Sequence, residues 1–315
     1  MTTPQIAFLF PGQGSQSVGM GKELAEHYPV ARQTFAEADE ALGYKLSHLC
    51  FHGGEEQLRL TEITQPAILT ASVAAWRVLH EHGVRPGYVA GHSLGEYSAH
   101  VAAATLSFAD AVRTVRNRGR YMQEAVPLGV GAMAAILGMD LDKVTAVCHD
   151  AAQGEVCQLA NINSPQQIVV SGNAAAVERA TKIASERGAK RTVLLPVSAP
   201  FHCSLMQPAQ DRLAADLQSL PFHHAARPVV SNVDAALVED ADRCRDALLR
   251  QVTGSVKWVQ SMRLLIAKGC SVFVEAGPGK VLSGLMRQIE RSKKCLQVND
   301  RESLAQTLDQ LQACS

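Results

Sequence analysis

Gly91-His92-Ser93-Leu94-Gly95 stands between a short apolar run at Tyr88 to Ala90 and a small-residue stretch from Tyr97 to Ala104. No other feature constrains the chain as much. A serine with glycines two positions before and after it marks a strand that turns sharply into a helix, because the turn leaves no space for larger flanking residues. Such a turn lifts the hydroxyl above the end of a sheet. It also aims the free N–H groups of the helix start at any oxyanion formed there. The alternative is a chance pentapeptide at an ordinary strand-to-helix turn, but here the strand before and the helix after are both present.

A serine hydroxyl is a poor nucleophile at neutral pH and needs a base. Eleven histidines are available. His80 and His82 flank a helix end, and His223 and His224 sit in a polar connection, so both pairs read as solvated. His48 and His52 are four apart but lack an H-E-x-x-H pattern or a third ligand, which argues against a metal site. His202 follows a strand and a proline turn in VSAPFHCSLM, where a loop would meet the end of the sheet. Locally it could equally be a structural histidine. A hydrolase would place its acid between the serine and the histidine. Asp110 and the acids at 140, 142, 150 and 155 have no loop after a main-sheet strand, which suggests a dyad.

The helix after the elbow carries arginines at 113, 116, 118 and 120. Three share a face suited to solvent, whereas Arg118 aligns with Ala111, Val115 and Met122, which look like core positions. A guanidinium there is costly unless it meets an anion, since it cannot shed its proton. One reading is an internal salt bridge. The other is a bidentate clamp for a substrate carboxylate, with Gly119 leaving room for a close approach.

Along the chain, strands are expected at Gln5 to Phe10, Tyr88 to Ala90, Pro228 to Asn232 and Val272 to Glu275, with helices between. Between Pro127 and Pro196 the pattern changes to strand, helix, strand, strand, helix, strand, a ferredoxin-like order. Here NINSPQ is read as the connection between strands at 157–160 and 167–171. The fold class expected is therefore α/β: a large α/β-hydrolase-like domain with a mainly parallel sheet (1–127 and 196–315), plus a small inserted ferredoxin-like α+β domain (128–195). Lysine plus arginine equals aspartate plus glutamate at 30 each, so no global field draws nucleic acid or membrane. No apolar run approaches the ~18 residues of a membrane span. The eight cysteines, Cys314 among them, form no C-x-x-C pair. Without a signal-peptide pattern this suggests free thiols and a cytoplasmic protein. Gly12-Gln13-Gly14 has Ser17 where a dinucleotide fingerprint needs its third glycine, and Gly277-Pro278-Gly279-Lys280 lacks the spacing of a phosphate loop, so neither supports nucleotide chemistry.

Nearly end to end, the chain closely resembles the malonyl-CoA:acyl-carrier-protein transacylases. The resemblance is carried by FPGQGSQ (10–16), GHSLGE (91–96), RGRYMQEAVP (118–127), ANINSPQQIVVSG (160–172), SAPFHCSLM (198–206), RQVTGSVKW (250–258) and EAGPGKVL (275–282). It implies that Ser93 accepts the acyl group, His202 is its base, and Arg118 holds the malonyl carboxylate. It further implies an oxyanion hole from the N–H groups of Gln13 and Leu94, and a histidine oriented by the main-chain carbonyl of Gln251. Asn163, expected in a loop overhanging the cleft, would support substrate binding. Leu94 and Phe201 match the malonyl-selective pattern, with Phe201 filling the space of an α-methyl group. The partners implied are malonyl-CoA and acyl carrier protein, with no metal or other cofactor, and the protein is expected to act as a monomer. Arg287, Arg291, Lys293 and Lys294, or Lys190 and Arg191, are candidate basic patches for an acidic carrier; either could be a solvated face. A plain serine hydrolase, a non-catalytic docking subunit, and the same transfer in a polyketide or malonate-decarboxylase setting remain the rival readings.

Overall fold

The computed structural model describes residues 5–313, so the readings of the first four residues and of Cys314 lie outside the described residues. Strand β1 (Gln5–Phe10) is fully buried from Ala7 onward, as a continuous apolar run in the middle of a parallel sheet should be. Four helices, α1 (Lys22–His27), α2 (Pro29–Leu42), α3 (Leu46–His52) and α4 (Glu55–Arg59), lead into the long α5 (Thr61–Glu81). Helix α5 is buried continuously from Thr64 through Ala75; a helix apolar all round belongs in the interior. Next come β2 (Tyr88–Gly91), α6 (Gly95–Ala102) and α7 (Phe108–Glu124). Ser107 starts α7, its hydroxyl accepting from the N–H of Asp110 at 3.1 Å.

The segment after Pro127 contains β3 (Gly131–Leu137), α8 (Leu141–Ala152), β4 (Cys157–Ser164), β5 (Gln167–Asn173), α9 (Ala174–Glu186) and β6 (Arg191–Leu194), in the anticipated element order. They form a four-stranded antiparallel sheet, β4-β5-β3-β6, with its own core of Ile136, Val144, Val170 and Val177. Strand β4 corrects the sequence reading. NINS does not leave the sheet as a loop: the strand runs on to Ser164, and register shifts after Leu159 and Ile162 absorb the irregularity.

The chain then returns through α10 (Gln207–Gln218), β7 (Val229–Val230), β8 (Leu237–Val238), α11 (Ala241–Arg250) and α12 (Trp258–Ala267). It ends with β9 (Cys270–Ala276), α13 (Val281–Ile289), β10 (Lys294–Val298) and α14 (Arg301–Gln312). Six strands lie in the order β10-β9-β1-β2-β7-β8, every neighbour parallel except the β7–β8 pair. Alternation along β1 sends Phe8 and Phe10 to the face packed by α5, and Ala7 and Leu9 to the face packed by Trp258, Met262 and Leu285. The whole is mixed α/β, a mainly parallel sheet plus a separate antiparallel one. Among the described residues no helix is long and apolar enough to cross a membrane.

Two features of this frame position the site. Phe10 pairs with Gly91, so the turns after β1 and β2 leave the sheet side by side at its C-terminal edge, where ligands of open α/β sheets bind. The antiparallel sheet is tied to the same edge by a bridge between β4 and the segment after α11, through Val256 N–H to Ala160 O at 2.8 Å and Ile162 N–H to Val256 O at 2.9 Å.

Candidate active site

Ser93 closes the β2-to-α6 turn with φ at +51°, a conformation that a β-carbon makes strained and that only a rigid surrounding sustains. The flanking glycines explain the rigidity. A β-carbon on Gly91 would collide with the main chain at Gly95, and one on Gly95 with the carbonyl of Phe10. The elbow is thus wedged against the end of β1. Asn232, just beyond β7, accepts from the N–H of Ser93 at 2.7 Å and donates to the carbonyl of Gly91 at 2.7 Å, clamping the turn from the other side. Strand β7, Val229–Val230, is shorter than its apolar run suggested.

His202 arrives from the loop after β6, also at positive φ (+60°), and its Nε2 lies 2.7 Å from the Ser93 Oγ. Its Nδ1 faces the carbonyls of Gln251 at 3.0 Å and Gly254 at 3.2 Å. Carbonyls only accept, so Nδ1 carries the proton and Nε2 presents its lone pair to the serine hydroxyl. Burial, and then the nearby Arg118 charge, push the imidazole's pKa down to about 3, which keeps the ring neutral and able to accept a proton. The acid missing from the sequence is thus replaced by two backbone carbonyls.

Arg118 is 1% exposed. Its guanidinium donates to Gln65 Oε1 at 2.8 Å, Gln251 Oε1 at 2.9 Å and Ser93 Oγ at 3.2 Å, while its Nε has no partner. It makes no salt bridge among the described residues, so the internal ion pair weighed from the sequence is not there. Gly119 does serve close approach: a β-carbon there would stand 2.6 Å from the carbonyl of Thr61 on α5. Arg113 and Arg120 are exposed and Arg116 half-buried, as the helical spacing indicated.

These groups face a cleft of about 440 Å³ whose walls include Gln13, Gln65, Met133, Asn161, Leu195 and Phe201. Gln13 and Leu94 sit on the two adjacent turns, and neither N–H is engaged by an acceptor in the described residues. Free backbone donors on these turns suit an oxyanion. Asn163 lies elsewhere than expected. It is on β4, and its Oδ1 bonds His92 Nε2 at 2.8 Å, so it backs the elbow while Asn161 lines the cleft. His48, His52, His80, His82, His223 and His224 are exposed, and no cluster among the described residues could hold a metal. Arg287, Arg291, Lys293 and Lys294 line a separate groove between α13, β10 and α14; Lys190 and Arg191 are exposed at the start of β6.

Sequence reasoning missed Gln65, Asn161, Asn232, Gly254 and Glu96. Glu96 was in plain view within GHSLGE, and a carboxylate in the first turn of a helix that must be buried was the signal. The other four have no signature in a single sequence.

Residues 7–307 match the acyl transferase domain family. A malonyl CoA-acyl carrier protein transacylase of Salmonella typhimurium is 49% identical over 307 residues, covering 97% of this chain and 99% of the relative. The solved malonyl CoA-acyl carrier protein transacylase of Coxiella burnetii superposes with a TM-score of 0.96 at 44% identity, covering 99% of each chain. A malonyl-transacylase solved in complex with a type II polyketide acyl-carrier protein superposes at 0.95 with 46% identity, over 97% of this chain and 99% of that one.

Proposed function

Because the chain belongs to the acyl transferase domain family, among the malonyl CoA-acyl carrier protein transacylases, we propose that it moves a malonyl group from malonyl-CoA to acyl carrier protein by way of a serine ester. One observation carries the reading: the Ser93 hydroxyl touches both a neutral imidazole and a buried guanidinium that pairs with no carboxylate among the described residues.

The reaction is ping-pong. As Ser93 Oγ attacks the thioester carbonyl, its proton passes to His202 Nε2, and the imidazolium is stabilised by the carbonyls of Gln251 and Gly254. The carbonyl oxygen becomes an oxyanion facing the N–H groups of Gln13 and Leu94, each donor contributing about 2.7–4 kcal/mol in comparable sites. The carbon–sulfur bond breaks and the CoA thiolate takes the proton back from His202. Arg118 holds the malonyl carboxylate throughout, and Phe201, at the cleft wall, excludes a branched acyl group. The phosphopantetheine thiol then enters and runs the same steps in reverse.

In this reading the large unit, 1–127 with 196–315, is an α/β-hydrolase-like catalytic domain, and 128–195 is a ferredoxin-like domain that covers it. The protein works in the cytoplasm as a monomer with no metal or redox cofactor. One of the two basic patches receives the carrier protein, while Asn163 supports the elbow.

Intact mass spectrometry tests the reading. Incubation with malonyl-CoA should add one malonyl group, absent in Ser93→Ala and transferred on addition of the carrier protein. Steady CoA release with no adduct would instead indicate hydrolysis, and no reaction at all a docking subunit.

A further inference from the structure

Glu96 lies beneath the dyad on the first turn of α6, 0% exposed, and the mechanism above does not use it. Its Oε2 accepts from Gln251 Nε2 at 2.7 Å and from the N–H of Asn232 at 3.1 Å; its Oε1 has no partner. The Gln251 side chain therefore bridges an acid and a base. Its amide nitrogen meets Glu96 and the carbonyl of Ser93, and its amide oxygen meets Arg118. The orientation is forced, since a guanidinium only donates. The same residue's main-chain carbonyl accepts from His202.

The other titratable neighbours contribute little charge. Asp234, in the turn after β7, is already held by Arg250 at 2.8 and 2.9 Å. Burial pushes the Cys244 thiol of α11 up to about 12 and raises the Tyr97 hydroxyl as well, so both stay neutral. Arg118 is the cation that Glu96 senses, relayed through one amide.

We infer that Glu96 is a positioning residue that tunes acyl selectivity: through Gln251 it offsets the Arg118 charge in the empty site, and takes up a proton when a malonyl carboxylate assumes that role. The inference rests on the malonyl-transfer reading above. In balance, where Glu96 is ionised, docking of a carboxylate on Arg118 draws up to one solvent proton onto Glu96, at its partnerless Oε1. Burial lifts the Glu96 carboxyl to about 7 in the empty site, so the exchange falls within the working pH range. Below that pH Glu96 is already neutral and docking needs no proton. Above it docking must draw one, so malonyl binding weakens as pH rises.

The experiment is a pH series, 6 to 8.5, of kcat and KM for malonyl-CoA and for acetyl-CoA, with phosphopantetheinylated carrier protein as acceptor. Acetyl-CoA carries the same nucleotide phosphates and lacks the acyl carboxylate. The KM for malonyl-CoA should rise at least about fivefold across the series while that for acetyl-CoA stays level. In Glu96→Gln the malonyl-CoA KM should also stay level and lie below the wild-type value at pH 8. A rise retained in the variant, or shared by acetyl-CoA, overturns the inference. Should the variant fail to fold, calorimetry of malonate binding to the wild-type protein at pH 8, in two buffers of different ionisation enthalpy, decides: a fractional proton uptake supports it, none refutes it. Failure to form any malonyl ester would overturn the transfer reading itself, and this one with it.

Discussion

At the scale of single residues, the site turns on a cation placed where the described residues offer no direct anion. Arg118 is held by two glutamine side-chain oxygens and a serine hydroxyl, which leave its Nε unpartnered and its charge uncompensated at contact distance among the described residues. On the proposed reading, a malonyl carboxylate fills that deficit and an acetyl group leaves it. Removing the guanidinium should therefore abolish discrimination more than catalysis. We expect Arg118→Ala to lose most of its malonyl loading, on the order of 10³- to 10⁴-fold in kcat/KM, while acetyl loading holds or improves. Parallel mass spectra of the two adducts over time check this. Equal losses for both donors would mean that the arginine organises Ser93 and does not select the acyl group. Much of this was legible beforehand. The position of Arg118 on an apolar stripe follows from spacing alone, and the missing triad acid pointed to a dyad. Its partners were not legible, because Gln65 lies on another helix and nothing local distinguishes it from a routine buried amide.

Helices and strands decide how well that cation is placed. The α5–α7 contact is close because Gly119 lies against Thr61, directly beside Arg118 in sequence. Helix propensity alone would have Gly119→Ala stabilise the protein by up to about 1 kcal/mol. Packing says the opposite, since the new methyl meets rigid backbone and overpacking costs about 1–3 kcal/mol. The packing cost should win. Urea unfolding of Gly119→Ala should show lower stability, and the displaced guanidinium should lower the ratio of malonyl to acetyl adduct. A more stable variant with unchanged selectivity would show that α7 can shift freely. Strand β4 gives the complementary lesson about legibility. Asn, Ser and Pro in NINSPQ are turn formers, and read locally they end the strand. The sheet overrides them, because β5 is paired through Gln167 and the segment after α11 bridges to Asn161. Strand β10 escaped for the reverse reason: five residues beginning with a lysine carry too little pattern to stand out.

Across the whole molecule, buried titratable groups set how stability responds to acid, and their signs differ: burial lowers His92, His100 and His202 and raises Glu96 and Glu275. His100 and His202 have pKa values depressed by burial to about 3 from 6.5. A group depressed in this way contributes stability above its unfolded pKa and loses it as pH falls. Between pH 7 and pH 5 each histidine should therefore cost about 2 kcal/mol. Glu96 has the opposite shift, raised by burial to about 7 from 4.5, so its contribution is full below 4.5 and lost as pH rises through 7. Over the same interval, going down, it returns about 2 kcal/mol. Taken together, these three give a loss of about 2 kcal/mol on moving from pH 7 to pH 5; His92, lowered by burial, adds to it and Glu275, raised by burial, offsets it. His100 separates these contributions without touching the cleft. It packs against Phe222, bonds Thr105 through Nδ1 at 2.8 Å, and its Nε2 is buried without a partner. His100→Gln keeps an amide for Thr105 and removes the ionisation. Denaturant unfolding of both proteins at the two pH values should show the wild-type drop shrinking by about 2 kcal/mol in the variant, whatever constant penalty the substitution adds at pH 7. A drop of unchanged size would mean that the folded protein leaves the His100 pKa near its unfolded value, and that acid sensitivity resides in the other buried histidines and the surface carboxylates.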